Sequence, residues 1–112
     1  MEEHKTKDIK ESNLIPLHFT MSKNQYEKLR VLKIKGYCKI MYILRFAAVY
    51  IVSQEETEIK AYKDFDFKTK EGKHYKVDLP KELYEEMQEK SSLYGFSMSK
   101  LLRIGLNDIL KF

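Results

Sequence analysis

Cysteine, proline, glycine and tryptophan are scarce in this chain of 112 residues, which has one, two, four and none of them. The single cysteine, Cys38, cannot form a disulfide within the chain, so disulfide-stapled secreted scaffolds are excluded. No secretory signal opens the sequence, and we therefore expect a reducing compartment, the cytoplasm. The longest apolar run, Ile40–Val52, is interrupted by Arg45 and is too short to span a bilayer. We expect no membrane partner and interpret this run as a buried helix at the centre of a small fold.

The residues that carry catalysis and metal binding are also sparse. The three histidines, His4, His18 and His74, are scattered along the chain, and with a lone cysteine no metal-ligand spacing appears. The sequence contains neither a glycine-rich phosphate loop nor a nucleophile–base arrangement. Eight tyrosines offer hydroxyl groups, but no general base or metal ligands accompany them. We therefore expect no catalytic residues, no metal site, no cofactor and no enzymatic activity.

Charge is abundant by contrast. Charged residues make up 34% of the chain, the formal net charge is +4 and the isoelectric point is about 9.0. A moderate basic bias of this kind suits a polyanionic partner. The length suits one compact domain.

The C-terminal segment His74–Phe112 carries a strand–helix–helix pattern. Its first residues alternate between polar and apolar, which is typical of a strand with one buried face. Pro80, whose φ is fixed, suits the first position of a helix. Gly95 suits the C-terminal cap of that helix, and Ser97 suits the N-cap of a second one. The second helix has one apolar stripe, formed by Met98, Leu101, Leu102, Gly105, Leu106, Ile109 and Leu110.

An upstream segment repeats this pattern. A shift of 58 positions without a gap places Leu17–Gln54 on Tyr75–Phe112, with a second apolar stripe matching the first. Both copies place a small residue, Ala47 or Gly105, where two helices could cross closely. Outside the apolar stripes, four pairs are identical: Lys23 with Lys81, Tyr26 with Tyr84, Glu27 with Glu85, and Arg45 with Arg103. Any two amphipathic helices can be aligned, but here the strands align as well, which favours an internal repeat.

The chain therefore divides into four parts. Residues 1–13 are polar and aperiodic, and we expect a flexible, solvated tail. Residues 14–54 form the first repeat, in which Ser22 and Gln25 have the spacing of a capping box and Gly36 breaks the first helix. Residues 55–73 form a linker, and residues 74–112 form the second repeat. Within the linker, Phe65–Thr69 alternates like a strand of a hairpin, although a tether with a few hydrophobic anchors is the favoured interpretation.

Two motifs of the second repeat resemble a known family. They are Val77-Asp78-Leu79-Pro80 and the run Gly95–Arg103, with its glycine, Ser97-x-Ser99, apolar pair and arginine. Together they are similar to the ribbon–helix–helix superfamily, which includes the Arc and MetJ repressors. The first repeat departs from that pattern, since Ser22 replaces the proline and Tyr37-Cys38-Lys39 replaces the serines. The resemblance implies a mainly α fold with a two-stranded antiparallel β-ribbon, in which two ribbon–helix–helix repeats form an intramolecular pseudodimer.

In such a fold the ribbon presents one face to the helices and the other to the major groove of DNA. The residues predicted on the open face, as readers of base edges, are His18, Thr20, His74, Lys76 and Asp78. Lys76 could donate to guanine, Asp78 could accept from cytosine, and Thr20 could contact a thymine methyl. The alternative is an ordinary solvated edge, with Asp78 paired to a neighbouring lysine.

Phosphate contacts are predicted at helix N-termini, where free N–H groups and the helix dipole favour anions. The candidates in the second repeat are Ser97, Met98, Ser99 and Lys100, and their counterpart in the first is Lys39. Ser97 is equally consistent with a plain N-cap. Lys23 and Lys81 could add positive charge or simply be solvated.

The resemblance thus implies a sequence-specific double-stranded DNA-binding protein. Tandem copies in one chain are similar to TraY-like accessory factors of conjugative relaxosomes, which bind near a transfer origin, so a relaxase and further copies of the chain are candidate partners. The alternative is a transcriptional repressor or copy-number regulator of the same fold. An antitoxin is less favoured because Phe112 directly follows the second helix, and a helical protein-interaction module is the hypothesis from another class. Since the two strands differ, we expect an asymmetric or direct-repeat DNA site.

Overall fold

The computed structural model describes residues 14–34, Gly36 and residues 39–111, apart from the side chain of Ile34. Strands β1 (Leu14–Met21) and β2 (Lys73–Pro80) form a two-stranded antiparallel sheet. The helices of the described residues are α1 (Lys23–Ile34), α2 (Ile40–Val52), α3 (Glu56–Lys60), α4 (Lys81–Tyr94) and α5 (Met98–Ile109). The expectation of a mainly helical fold with a two-stranded antiparallel ribbon is confirmed. The predicted tail 1–13, together with His4, Tyr37, Cys38 and Phe112, lies outside the described residues.

The two strands bury one face and expose the other. Leu17, Phe19 and Met21 of β1 are buried on the same face as Val77 and Leu79 of β2. Strand β2 continues through Pro80, which has extended angles (φ −55°, ψ 144°), so α4 begins at Lys81. Pro80 is therefore the N-cap of α4 and not its first helical residue, because its ψ remains outside the helical range.

Local signals end and begin the helices as the sequence predicts. The Ser22 N–H donates to Gln25 Oε1 at 3.1 Å, and the Gln25 N–H donates to Ser22 Oγ at 3.1 Å, which is a complete capping box. Gly95 ends α4 in the left-handed conformation, with φ 77°. Ser97 caps α5 by accepting a hydrogen bond from the Lys100 N–H at 3.0 Å. These three predictions are confirmed.

Helices α2 and α5 cross closely at two small residues. A Cβ added at Gly105 would lie 2.6 Å from the Ala47 carbonyl oxygen, which is inside van der Waals contact. Leu44, Leu102 and Leu106 are completely buried around this crossing. The predicted close approach at Ala47 and Gly105 is thus present, and it lies in the core beneath the ribbon.

Helix α2 is not buried on all sides. Ile40, Leu44, Ala47, Ala48 and Ile51 are buried. Three residues spaced along its outer side remain more than half exposed, namely Tyr42 (56%), Phe46 (59%) and Val49 (51%). The predicted central helix is therefore buried on its inner side, and the described elements leave this outer side uncovered.

The connection between α2 and β2 packs against α5. It contains the short helix α3, and Ile59 and Phe67 enter the core. Residues 65–69 adopt neither helix nor strand, so the hairpin alternative is not found. The Tyr62 hydroxyl donates to Asp108 Oδ1 at 2.6 Å and accepts from Asn107 Nδ2 at 3.0 Å, which ties the connection to α5.

Among the described helices, none combines the length and the apolar character that crossing a bilayer requires.

Candidate nucleic-acid interface

The alternation of β1 and β2 sets which side chains lie on the open face of the ribbon. His18, His74 and Lys76 are exposed there, whereas Thr20 and Asp78 are partly buried. All five predicted base-reading residues lie on the two paired strands, so the fold brings them together although they come from two distant segments. Their neighbours along each strand, Phe19 and Val77, point into the core.

The middle of this face is polar and mostly basic. His18 lies directly opposite Lys76 in the antiparallel register, and Thr20 lies opposite His74. The two histidines meet diagonally, with His18 Nδ1 3.3 Å from His74 Nε2 and ring centroids 5.4 Å apart. In the described part of the chain, no ion pair joins Asp78 to Lys76.

Two arginines hold the ribbon on the helices. Arg45 Nε of α2 donates to the Asp78 carbonyl at 2.8 Å, and Arg103 Nη1 of α5 donates to the Thr20 carbonyl at 2.8 Å. Burial lowers the pKa of Arg103, whose Nε atom is buried without a hydrogen-bond partner among the described residues. No role was predicted for these arginines from the sequence, and their identity at matching positions of the two repeats is the signal for this shared contact.

The four predicted phosphate-binding residues of the second repeat share one turn at the start of α5. Ser97 Oγ is occupied as the N-cap, and Ser99 Oγ accepts from Arg103 Nη1 at 3.3 Å. Lys100 Nζ donates to the Lys63 carbonyl at 3.1 Å and lies 4.9 Å from the centre of the Phe96 ring. The first-turn N–H groups of Met98 and Ser99 have no acceptor within the helix, as at every helix start.

Two further lysines accompany this turn and were missed in the sequence. Lys60 and Lys63 line, together with Lys100, Ser97 and Gly95, an open concavity of about 490 Å³ at the start of α5. Lys60 Nζ pairs with Glu56 Oε2 at 2.6 Å, so Lys63 and Lys100 are the lysines of this concavity whose charge no such pair offsets among the described residues. Positive charge beside a helix N-terminus favours an anion. Lys60 and Lys63 belong to the connection between the predicted repeats, so no local pattern placed them near Ser97.

The other predicted phosphate contacts are exposed and lie at separate helix starts. Lys39 is the N-cap of α2, and together with Lys33 it lines a second open concavity of about 640 Å³ beside Tyr75. Lys23 is the first residue of α1 and Lys81 is the first residue of α4. Each is solvent-exposed and close in sequence to the end of a ribbon strand.

The chain was compared with protein-family models, with curated proteins and with solved structures. No family model, curated protein or solved structure matches it.

Proposed function

We propose that this chain is a sequence-specific double-stranded DNA-binding protein in which two ribbon–helix–helix repeats form an intramolecular pseudodimer. The ribbon of β1 and β2 enters the major groove, and the starts of α2 and α5 contact the flanking phosphates. A two-stranded antiparallel ribbon has the width that the major groove admits.

The register of the ribbon is the observation that carries this proposal. A repeat shifted by 58 positions makes His18 the equivalent of Lys76, and these two residues face each other across the strands. The same shift makes Leu17 the equivalent of Tyr75, and Phe19 the equivalent of Val77. The facing pair Leu17–Val77 is therefore equivalent to the facing pair Phe19–Tyr75 on the other side of His18–Lys76. A pseudo-twofold axis through the His18–Lys76 pair requires this register. If the pairing were shifted by one residue, no residue would face its own equivalent, and the pseudo-twofold axis would be lost.

The arginine contacts support the same axis. Arg45 is the equivalent of Arg103, and Asp78 is the equivalent of Thr20. Each arginine donates to the backbone carbonyl of the other unit's strand at the equivalent position, and both distances are 2.8 Å. The helix crossing at Ala47 and Gly105 joins equivalent residues as well.

The chemistry of the open face fits base edges. The Lys76 ammonium can donate to guanine O6 and N7, and the Asp78 carboxylate can accept from cytosine N4. Each good contact of this kind contributes about 1–3 kcal/mol of discrimination. Because an acidic group repels phosphate, Asp78 contributes to discrimination among bases and not to overall affinity.

The two strands carry different residues on their open faces, which makes the proposed site asymmetric. Thr20 of β1 corresponds to Asp78 of β2, and His18 corresponds to Lys76. A homodimeric ribbon reads a palindrome, whereas this one presents different hydrogen-bonding groups to each half-site. We propose that the chain binds an asymmetric or direct-repeat sequence in one orientation.

The biological role in the proposal rests on the resemblance to tandem TraY-like proteins. It is an accessory factor bound near the transfer origin of a mobile element, beside a relaxase and further copies of the chain. A transcriptional repressor or copy-number regulator would use the same sequence-specific binding to double-stranded DNA. A selected site that matches the region upstream of the chain's own gene would favour repression.

Binding-site selection from random duplexes, followed by fluorescence anisotropy on the selected duplex, tests the function. We expect Lys76→Ala and Thr20→Ala to reduce affinity for the selected duplex and to relax the preferred sequence. Lys90→Ala on α4 is the control, because this lysine lies outside the ribbon and both helix starts. If Lys76→Ala and Thr20→Ala bind the duplex like the unchanged protein, the ribbon does not read DNA. A perfect palindrome selected per chain would contradict the asymmetric site.

A second candidate function is supported by the exposed face of α2. Tyr42, Phe46 and Val49 form an apolar stripe on one side of this helix, which is typical of a helical protein-interaction module. This function predicts that Phe46→Ser abolishes partner binding while Lys76→Ala does not. DNA binding predicts the reverse for the selected duplex.

A further inference from the structure

Two histidine rings meet on the open face of the ribbon although 56 positions separate them in the sequence. His18 and His74 sit on neighbouring antiparallel strands, and both are exposed. Their nitrogen atoms Nδ1 and Nε2 are 3.3 Å apart, and the rings are inclined by 22°. A paired sheet holds the two backbone positions, so the pair is prearranged before any ligand arrives.

This nitrogen separation matches that of two imidazoles on one metal ion. Two metal–nitrogen bonds of about 2.0–2.1 Å that meet at a tetrahedral angle place the nitrogens about 3.3–3.4 Å apart. In the absence of metal, one ring donates to the other, which requires a neutral acceptor nitrogen. Because both rings are exposed, this hydrogen bond competes with water and contributes little. Turning both lone pairs toward one ion therefore costs only small side-chain rotations.

We propose that His18 and His74 form a bidentate site for a divalent transition-metal ion of borderline softness that takes tetrahedral coordination, such as Zn²⁺. Imidazole nitrogens prefer these ions over Mg²⁺ and Ca²⁺, which take oxygen ligands. In the described part of the chain, no group of three or more histidine, cysteine, aspartate or glutamate residues could hold a metal. The ion therefore keeps open coordination positions that face solvent, and this site is weaker than a closed structural one.

The neighbouring residues set the strength of the site. Lys76 lies directly opposite His18. Its ammonium group would repel a metal cation bound to His18 and His74. Thr20, which lies opposite His74, carries no charge. Removal of the Lys76 charge should therefore strengthen metal binding about threefold, since the repulsion acts across a solvated surface. A metal bound elsewhere on the chain would not respond to Lys76.

The proposal goes beyond DNA binding and does not depend on it. Its test uses metal and protein alone, so its failure and the failure of the DNA-binding proposal are separate results. The full chain should carry Cys38→Ser and His4→Gln, because a free thiol and a third imidazole are competing ligands. ZnCl₂ is titrated in a non-coordinating buffer at neutral pH and followed by calorimetry and by the imidazole resonances in NMR.

We expect one Zn²⁺ per chain, with the ring resonances of His18 and His74 shifting together, and no response to MgCl₂. His18→Gln and His74→Gln should each weaken Zn²⁺ binding at least about tenfold, and Lys76→Ala should strengthen it. The backbone amide spectrum reports whether each variant keeps the paired ribbon. Unshifted His18 and His74 resonances at millimolar Zn²⁺ would refute the site. So would Zn²⁺ binding that survives both glutamine substitutions in a folded ribbon, or an affinity that Lys76→Ala leaves unchanged.

Discussion

Asp108 joins three parts of the molecule through one carboxylate. It accepts hydrogen bonds from Tyr62 in the connection at 2.6 Å and from Tyr50 of α2 at 3.1 Å. Burial raises the pKa of both tyrosines above its usual value, and the charge and hydrogen bond of Asp108 raise it further. A phenolate beside this carboxylate would be repelled, so the folded protein favours the neutral phenols.

The first prediction concerns stability at alkaline pH. The folded-state pKa values of Tyr50 and Tyr62 lie above the unfolded value of about 10. The contribution of the two tyrosines to the free energy of unfolding is therefore complete below about pH 10. It is lost as pH rises through the folded pKa values. Tyrosinate absorbance and urea unfolding between pH 8 and 12 measure both effects. In Asp108→Asn the two pKa values should fall toward the ordinary one, and a tyrosine titration unchanged by Asp108→Asn would contradict this account.

The second prediction concerns the arginines beneath the ribbon. Arg45→Ala and Arg103→Ala should each lower the free energy of unfolding by about 1.5–3 kcal/mol, because each loses a charged hydrogen bond to a strand carbonyl. Urea unfolding measures the change. Arg30→Ala is the matched control, since Arg30 is exposed and its ion pair among the described residues is with Glu27 one turn away. An exposed pair contributes less than about 1 kcal/mol. Arginine variants as stable as the control would contradict the role of these contacts.

At the scale of elements, the crossing of α2 and α5 sets the third prediction. Gly105→Ala would place a Cβ 2.6 Å from the Ala47 carbonyl oxygen and 3.2 Å from Ile51 Cβ, so the helices must separate. We expect a loss of about 1–3 kcal/mol from overpacking, which outweighs the gain of about 1 kcal/mol in helix propensity. Thermal unfolding measures it. Ser92→Ala on the exposed side of α4 is the control, and a Gly105→Ala variant more stable than the parent protein would show that the helices can move apart freely.

The elements also show where local signals suffice. The capping box at Ser22, the left-handed Gly95 and the N-cap Ser97 were predictable because each depends on four or five consecutive residues. Helix α3 was not predicted, since five residues form a marginal helix without tertiary contacts. For α2, the match to α5 indicates the covered side, since all its buried residues belong to the stripe that aligns with that of α5. Its outer side is apolar as well, and only the fold shows that Tyr42, Phe46 and Val49 remain exposed.

At the scale of the whole molecule, salt dependence sets the fourth prediction. If the chain neutralises about four phosphates, the logarithm of the DNA association constant should fall with the logarithm of salt concentration at a slope near −4. Anisotropy titrations on the selected duplex between low and physiological salt measure this slope. Lys39→Ala should reduce its magnitude by about one, whereas Lys90→Ala should not. A slope near zero would exclude phosphate contacts as the main source of affinity.

The sequence by itself determined the strands, most helix ends and the matching of two segments, because these depend on short-range periodicity and on capping chemistry. It also determined which residues alternate onto one face of each strand. Only the tertiary structure decided that His18 faces Lys76 and meets His74, that Arg45 and Arg103 hold the opposite strand, and that Lys63 holds Lys100. These contacts join residues far apart in the chain. They form only when the two strands pair and the core closes beneath them, since no local preference selects a partner more than thirty positions away.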